Sequence, residues 1–226
     1  MFGIFDDPNA LWVLTGTTLL GVSAGLLGCF AFLRRRSLLG DAIAHAALPG
    51  ICVAFLITQT RSLGPLLVGA LVAGLVGAFV IQVIIKRTKL KEDAALGIVL
   101  SVFFAFGIVL LTIIQHSGAG NQSGLDKYLF GQAASLIGSD VRLMAVCAAL
   151  VCVLSLLFFK EFKLLCFDSG FAAGIGFRPG LLDGILMTLI VLAVVVGMQA
   201  MGVILMSAML IIPAASARFW TERLGT

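Results

Sequence analysis

An aspartate and a histidine four residues apart, Asp41 and His45, are the residues of this 226-residue chain whose types and spacing suit chemistry best. On an α-helix, a separation of four places both side chains on one face. A carboxylate oxygen and an imidazole nitrogen on one face are ligands for a borderline divalent cation such as Mn²⁺, Zn²⁺ or Fe²⁺. The same spacing also suits a structural role, in which Asp41 caps the helix and His45 makes one interhelical hydrogen bond. Spacing alone leaves both interpretations open.

The two residues come at the start of a long apolar run. If a helix starts near Ser37, its rise per residue puts Asp41 roughly 6 Å and His45 roughly 12 Å along it. An ionised aspartate inside a bilayer costs on the order of 3 kcal/mol, so such a residue normally faces a bundle interior or a transport pathway. A helix break at Pro49-Gly50 would free backbone carbonyl groups near the same level. Further metal ligands would have to come from other helices, water or a second subunit.

The elements that carry these residues are apolar enough to lie in a membrane. Hydrophobic residues make up 61% of the chain and charged residues only 12%, whereas soluble domains have about a quarter charged residues. A spanning helix needs roughly 20 mostly apolar residues, and the alternating segments of a transmembrane β-barrel do not occur in the sequence. We therefore predict an all-α, polytopic transmembrane helix bundle forming a single domain over residues 1–226. The seven predicted spans are Leu11–Leu33, Ile43–Thr60, Gly64–Ile85, Ala94–Gln115, Leu143–Phe159, Leu181–Met198 and Met201–Ala217.

The basic residues predict how the bundle is oriented. If the seven spans alternate, one side of the membrane receives four clusters of Lys and Arg, at positions 34–36, 86–91, 160–178 and 218–223. The other side receives only Arg61, Lys127 and Arg142. Because cytoplasmic loops carry the excess of Lys and Arg, the N-terminus is predicted to lie outside. The net charge of +4 thus reflects membrane orientation rather than nucleic-acid binding.

Motifs for other chemistries are not found in the sequence. The five cysteines form no CxxC pair, which argues against a disulfide framework or a cysteine metal site. There is no HExxH motif, so the signature of an intramembrane metalloprotease is not present. A phosphate-binding GxxxxGK[ST] loop is also missing from the sequence, so ATP energy would have to come from another protein.

The segment between about residues 160 and 182 is long for a connector on the predicted inner side. Asp168 or Ser169 is a candidate N-cap for a short helix that carries Phe171 and Ala172. Gly176 and then Pro179 would end that helix. A small amphipathic helix in the cytoplasm is a natural docking element for a partner's groove. The alternative is an ordinary connector that rests on the lipid headgroups.

Five segments resemble those of the manganese/zinc/iron-type ABC transporter permeases, a family of metal-uptake membrane subunits. The stretch SLLGDAIAHAALPG at residues 37–50 closely resembles the family's signature. The other four segments, in chain order, are Glu92–Ile98, Tyr128–Gln132, Phe167–Gly176 and Gly202–Ala217. Members of the family usually continue past the last segment through a further C-terminal helix.

The resemblance implies one half of an ATP-driven importer of Mn²⁺, Zn²⁺ or Fe²⁺ in the bacterial plasma (inner) membrane. The implied partners are a second permease subunit, identical or paralogous, cytoplasmic ABC ATPases and an extracytoplasmic metal-binding protein. The chain itself would be a transport subunit rather than an enzyme, without a permanently bound cofactor. Asp41 and His45 match the family residues proposed to hold the ion in the pathway. The segment that matches the family's ATPase-docking loop contains Asp168, Phe171, Ala172 and Gly176.

Three other functions are weighed against this one. A permease for a metal chelate, such as a siderophore or cobalamin, would need a wide cavity without direct protein ligands, so Asp41 and His45 argue against it. An intramembrane enzyme would use the same two residues as acid and base, but no second motif supports it. A proton-coupled carrier would transport without an ATPase partner. The sequence does not choose among the three metals, because one oxygen and one nitrogen ligand suit all of them.

Overall fold

The computed structural model of the chain describes residues 8–60, 62–116, 130–131 and 138–221. Within these ranges the chain forms helices and no strands, which confirms the predicted all-α class. The long helices α1 to α4 come first, and α5, two short helices and α8 follow. Their bounds are α1 Pro8–Leu33, α2 Leu39–Thr58, α3 Leu63–Arg87, α4 Glu92–His116, α5 Gly138–Leu157, α6 Phe159–Phe167, α7 Ser169–Gly174 and α8 Pro179–Trp220. Most of the Tyr128–Gln132 segment lies outside the described residues.

Six helices among the described residues are long and apolar enough to cross a membrane, and the sixth of them, α8, is long enough to cross twice. It has 42 residues and is interrupted at Gly202, whose φ of 80° and ψ of 170° are not helical. The Met206 side chain lies against Gly197, where an added Cβ would be 2.9 Å from Met206 Cε. On a straight helix these two residues would lie about 14 Å apart. The chain therefore turns back at Gly202, and α8 forms two arms, 179–201 and 203–220.

The turn in α8 lies just beyond the predicted boundary between the sixth and seventh spans. We expected the break between Met198 and Met201, where a single glutamine interrupts the apolar residues. It falls at Gly202 because the observed φ and ψ are accessible essentially only to glycine. Gly131, also at positive φ, packs directly on this turn: its added Cβ would overlap the backbone of Met201 and Gly202. The two arms correspond to the two predicted spans.

Two contacts show that the α1–α2 turn, the end of α3 and the starts of α4 and α8 lie at the same end of the bundle. Arg36, between α1 and α2, bonds to Glu92 at the start of α4. Lys86, in the last turn of α3, lies beside Gly180 near the start of α8. A Cβ added to Gly180 would be 2.9 Å from Lys86 Nζ. We call this end of the bundle, with the α1–α2 turn and the starts of α4 and α8, the arginine end. The alternation assumed for the spans is consistent with these contacts.

Helix α2 lies in the middle of the bundle, in contact with α3, α4 and α8. Its closest neighbour is α3: an added Cβ on Gly50 would be 2.5 Å from Ala73 Cβ and would overlap the Gly69 carbonyl. A Cβ added to Gly69 would likewise lie 2.6 Å from Ala54 Cβ. Small residues on both helices therefore let the two backbones touch. Helix α4, by contrast, leaves most of its apolar side chains exposed.

Candidate metal-binding pair

The first two turns of α2 bring Asp41 and His45 together as the sequence predicts. His45 Nε2 lies 3.4 Å from Asp41 Oδ1, and the two side chains are 22% and 35% exposed, respectively. Their neighbours on α2, Ala42, Ala44 and Ala46, are fully buried. The Asp41–His45 pair thus occupies a partly open stripe on an otherwise enclosed part of the helix.

The separation within the pair suits a shared metal ion. With metal–ligand bonds of about 2.0–2.1 Å, two ligand atoms lie roughly 3.0 Å apart at a right angle and roughly 3.4 Å apart at the tetrahedral angle. The observed 3.4 Å therefore needs little rearrangement for one ion to contact both atoms. The position differs slightly from the sequence-based estimate: α2 begins at Leu39 rather than near Ser37, so both residues lie about 3 Å closer to the helix start.

The pair does not form a complete site within the described residues. No cluster of three or more His, Cys, Asp or Glu side chains suited to a metal occurs among them. The expected helix break at Pro49-Gly50 does not occur either, because α2 runs through both residues to Thr58. Pro49 nevertheless has no N–H to donate to the carbonyl four residues earlier, which is that of His45. The residue that supplies the imidazole therefore also offers a carbonyl oxygen without its usual helical donor.

The second ring nitrogen of His45 is enclosed. Nδ1 is buried and has no hydrogen-bond partner among the described residues. The imidazole instead lies against the ring of Phe104 on α4, with 4.7 Å between ring centroids and an interplanar angle of 73°. This is an edge-to-face arrangement, one of the two that aromatic pairs prefer. Phe104 lies 59 residues from His45 in the chain, and no pattern near it in the sequence indicates this contact.

A second group of polar side chains lies at the arginine end, and the sequence did not predict that they contact one another. It consists of Arg34, Arg36, Glu92 and Asp183, which we call the arginine cluster. Arg36 Nε donates to Glu92 Oε2 at 2.8 Å and Nη2 donates to Glu92 Oε1 at 3.1 Å, while Nη1 donates to Asp183 Oδ1 at 2.8 Å. Arg34 Nη2 lies 3.4 Å from the same Asp183 oxygen. Two positive and two negative charges therefore balance.

The arginine cluster is held in a largely enclosed place. The Arg36 side chain is only 3% exposed. Burial would lower the pKa of Arg36, but its hydrogen bonds and charge interactions with Glu92 and Asp183 raise that pKa above its usual value. The sequence pattern indicates only an orientation role for these arginines. The available clue was Asp183 itself, a lone carboxylate in the first residues of an apolar run, since such a group normally needs a partner.

The predicted docking residues lie on and beside α7. Asp168 Oδ1 accepts a hydrogen bond from Phe171 N at 2.8 Å, so of the two candidate caps Asp168 makes the contact. Phe171 is 57% exposed, whereas Ala172 is fully buried and anchors the short helix. The helix ends at Gly174, before the expected Gly176, which has a φ of 95° in the turn that follows. Phe167, Ile175 and Phe177, which are not among the predicted docking residues, are exposed as well.

Helix α6 connects this segment to the arginine cluster. The Leu165 carbonyl accepts a hydrogen bond from Arg34 Nη1 at 3.4 Å. Cys166 Sγ donates to the Phe30 carbonyl at 3.8 Å, and burial raises the pKa of this thiol to about 11. The five cysteines are free. The connector before α7 is thus fixed to the end of α1.

Comparison with known proteins gives consistent matches. The model of the ABC 3 transport family matches residues 6–226. The manganese transport system membrane protein MntC of Bacillus subtilis (strain 168) is 58% identical over 219 residues, which are 97% of this chain but only 50% of that protein. The zinc transport system membrane protein TroC of Treponema pallidum (strain Nichols) is 50% identical over 221 residues, covering 98% of this chain and 74% of that protein. The chain thus spans about half the length of the first relative and about three quarters of the second.

A solved structure shares the arrangement of the helices. PsaBC from Streptococcus pneumoniae, determined in complex with a Fab, superposes with a TM-score of 0.82 at 34% sequence identity. The match covers 99% of this chain and 77% of that one. The likeness therefore extends over nearly all of the bundle described above.

Proposed function

Because this chain belongs to the ABC 3 transport family, we propose that it is the membrane-spanning permease subunit of an ATP-driven importer of Mn²⁺ or Zn²⁺. The observation that carries this proposal is the Asp41–His45 pair, two metal ligands 3.4 Å apart on a partly open stripe of a buried helix. The names of the two relatives support manganese and zinc. They do not support iron, the third ion that the sequence left open.

The incomplete ligand set suits transport better than storage. An ion at the pair would receive one carboxylate and one imidazole, and the remaining ligands would be water or groups from a second permease chain. Few protein ligands mean modest affinity, which lets the ion leave. Because both side chains are partly exposed, the ion does not need the bundle to unfold locally in order to enter.

The arginine end faces the cytoplasm in this proposal, and the N-terminus lies outside, since Lys and Arg accumulate at cytoplasmic ends. An ABC ATPase would dock on the exposed apolar side chain of Phe171, with Asp168 capping α7, Ala172 anchoring it and Gly176 making the turn that follows. ATP hydrolysis belongs to that partner. A metal-binding protein would deliver the ion at the opposite end of the bundle, in a bacterial plasma membrane.

The proposal is tested by uptake of radiolabelled Mn²⁺ and Zn²⁺ into vesicles that contain this permease with its ATPase and binding protein. Asp41→Ala and His45→Ala are compared with matched control variants, Asp93→Ala and His116→Ala, which remove the same residue types at exposed positions. We expect both pair variants to lose ATP-dependent uptake at normal protein levels, while both controls keep it. Near-normal uptake in the pair variants would place the pathway elsewhere.

A further inference from the structure

The surroundings of the His45 imidazole differ from those of most metal-binding histidines. A histidine that binds a metal through one nitrogen usually donates its other N–H to a carboxylate, a carbonyl or a water, which orients the ring and makes it a stronger ligand. His45 Nε2 is the nitrogen nearest Asp41, so Nδ1 carries the proton when Nε2 binds an ion. Among the described residues no acceptor is bonded to Nδ1, although this atom is buried.

Phe104 is the aromatic residue that packs on this imidazole. Its ring makes the edge-to-face contact with His45, with 4.7 Å between the ring centroids. Phe104 itself is 37% exposed. The contact is fixed by the backbone, because Gly107, nearly one turn further along α4, packs on Leu48 of α2: an added Cβ there would be 2.8 Å from Leu48 Cγ. The two helices therefore hold the phenyl ring against the imidazole.

We propose that Phe104 is a positioning residue for metal transport, which orients His45 toward Asp41 and at the same time keeps it a weak ligand. The ring restricts the imidazole so that Nε2 stays on the Asp41 side. Because a phenyl group is not a conventional hydrogen-bond acceptor, it does not strengthen the imidazole as a carboxylate or carbonyl would. The ion is then held in a defined place but released readily. This inference rests on the proposed function of the Asp41–His45 pair.

The chain offers a matched control on the same helix. Phe106 is also a phenylalanine of α4, it is 55% exposed, and it has no ring contact with His45. Replacing either residue with leucine removes an aromatic ring, and replacing either with glutamine adds a carbonyl acceptor of similar reach. Only at position 104 does the change occur beside the imidazole.

Two quantities distinguish the proposal from a packing role: equilibrium binding of Mn²⁺ and Zn²⁺ to the purified permease, and the KM and maximal rate of uptake in proteoliposomes with the ATPase and binding protein. For Phe104→Gln we expect about tenfold or greater tightening of metal binding, with a lower KM and a lower maximal rate because release slows. For Phe104→Leu we expect a several-fold higher KM with little change in the maximal rate. Phe104→Tyr, which keeps the ring, should remain close to wild type, as should both Phe106 variants.

The outcomes separate this inference from the proposed function. If the Phe104 variants behave like the Phe106 variants while His45→Ala still abolishes binding, the positioning role is wrong and the pair remains the metal site. If His45→Ala itself binds and transports normally, the proposed site is wrong. Should Phe104→Gln fail to fold, the KM of Phe104→Leu measured against Phe104→Tyr decides the question: equal values overturn the positioning role.

Discussion

Arg36, at the centre of the arginine cluster, lies only a few residues before the Asp41–His45 pair, but the cluster and the pair differ in how completely their polar atoms are satisfied. In the cluster, Arg36 is 3% exposed and donates three hydrogen bonds of 2.8–3.1 Å to two carboxylates. In the pair, the one contact is 3.4 Å long, both side chains are partly open, and His45 Nδ1 has no partner among the described residues.

The difference shows how one short segment serves two purposes. A buried charge network in which every group has a partner holds its surroundings in one arrangement, and losing one member leaves the others unpaired at high cost. A polar group that lacks partners costs stability in the resting protein but is available to a ligand. Arg36 thus fixes the start of α2 against α4 and α8, and the pair that follows keeps polar atoms available for the proposed metal ion.

The largest expected effect on stability comes from removing Arg36 from the arginine cluster. Arg36→Ala leaves Glu92 and Asp183 without their buried partner and should lower the free energy of unfolding by about 3–5 kcal/mol. Thermal unfolding of the detergent-purified permease measures this. The matched control is Arg35→Ala, since Arg35 is the exposed neighbour, and a change within about 0.5 kcal/mol is expected there. Equal losses in the two variants would contradict a structural role for the cluster.

Arg36→Lys should have an intermediate effect. Lysine keeps the charge but lacks the planar fork that bonds both oxygens of Glu92 and one of Asp183. Because one or more charge-assisted hydrogen bonds are lost, we expect a decrease of about 1.5–3 kcal/mol in the same unfolding measurement. A lysine variant as unstable as the alanine variant would mean that geometry, rather than charge balance, dominates in the cluster.

Added metal should produce a smaller change that depends on the pair alone. A ligand that binds only the folded protein stabilises it by about 1.4 kcal/mol at a concentration ten times its dissociation constant. Mn²⁺ or Zn²⁺ should therefore raise the melting temperature of the wild type and of Arg36→Lys, but not that of His45→Ala. A rise in His45→Ala equal to the wild-type rise would assign the metal effect to another site.

The smallest expected effect is on the stability of the pair variants themselves. Asp41→Ala and His45→Ala should change the free energy of unfolding by about 1 kcal/mol or less, because both side chains are partly solvated and their mutual contact is long. Thermal unfolding without metal measures this. A loss as large as that of Arg36→Ala would mean that the pair is a structural element like the cluster, and the contrast between the two regions would disappear.

The parts of this structure that depend on neighbouring residues could be predicted from the sequence. Long apolar runs indicated the spanning helices, a four-residue spacing brought Asp41 and His45 onto one face, and Asp168 was one of two expected caps for α7. The arginine cluster could not be found in this way, because Arg36 meets partners 56 and 147 residues further along the chain. The contact between Phe104 and His45 could not be predicted either, because the two residues are also far apart in the sequence.

The turn in α8 has another cause. Hydropathy places a boundary where polar residues interrupt an apolar run, and Gln199 is the interruption in this region. The chain turns instead where a backbone conformation is required that only glycine adopts, at Gly202. Its neighbour Gly131 comes from a segment that is distant in sequence, so nothing near residue 202 indicates the contact.

The glycine contact between α2 and α3 has a practical consequence for following the motion of the pair. Where Gly50 and Gly69 meet, the two backbones touch and the neighbouring side chains are alanine methyl groups, which cannot change rotamer to let one helix slide past the other. A change of access that displaces Asp41 should therefore carry α3 with it as one rigid unit. Val72, on the exposed face of α3, becomes a position where a spectroscopic label would record that displacement from outside the bundle, without touching the proposed metal ligands.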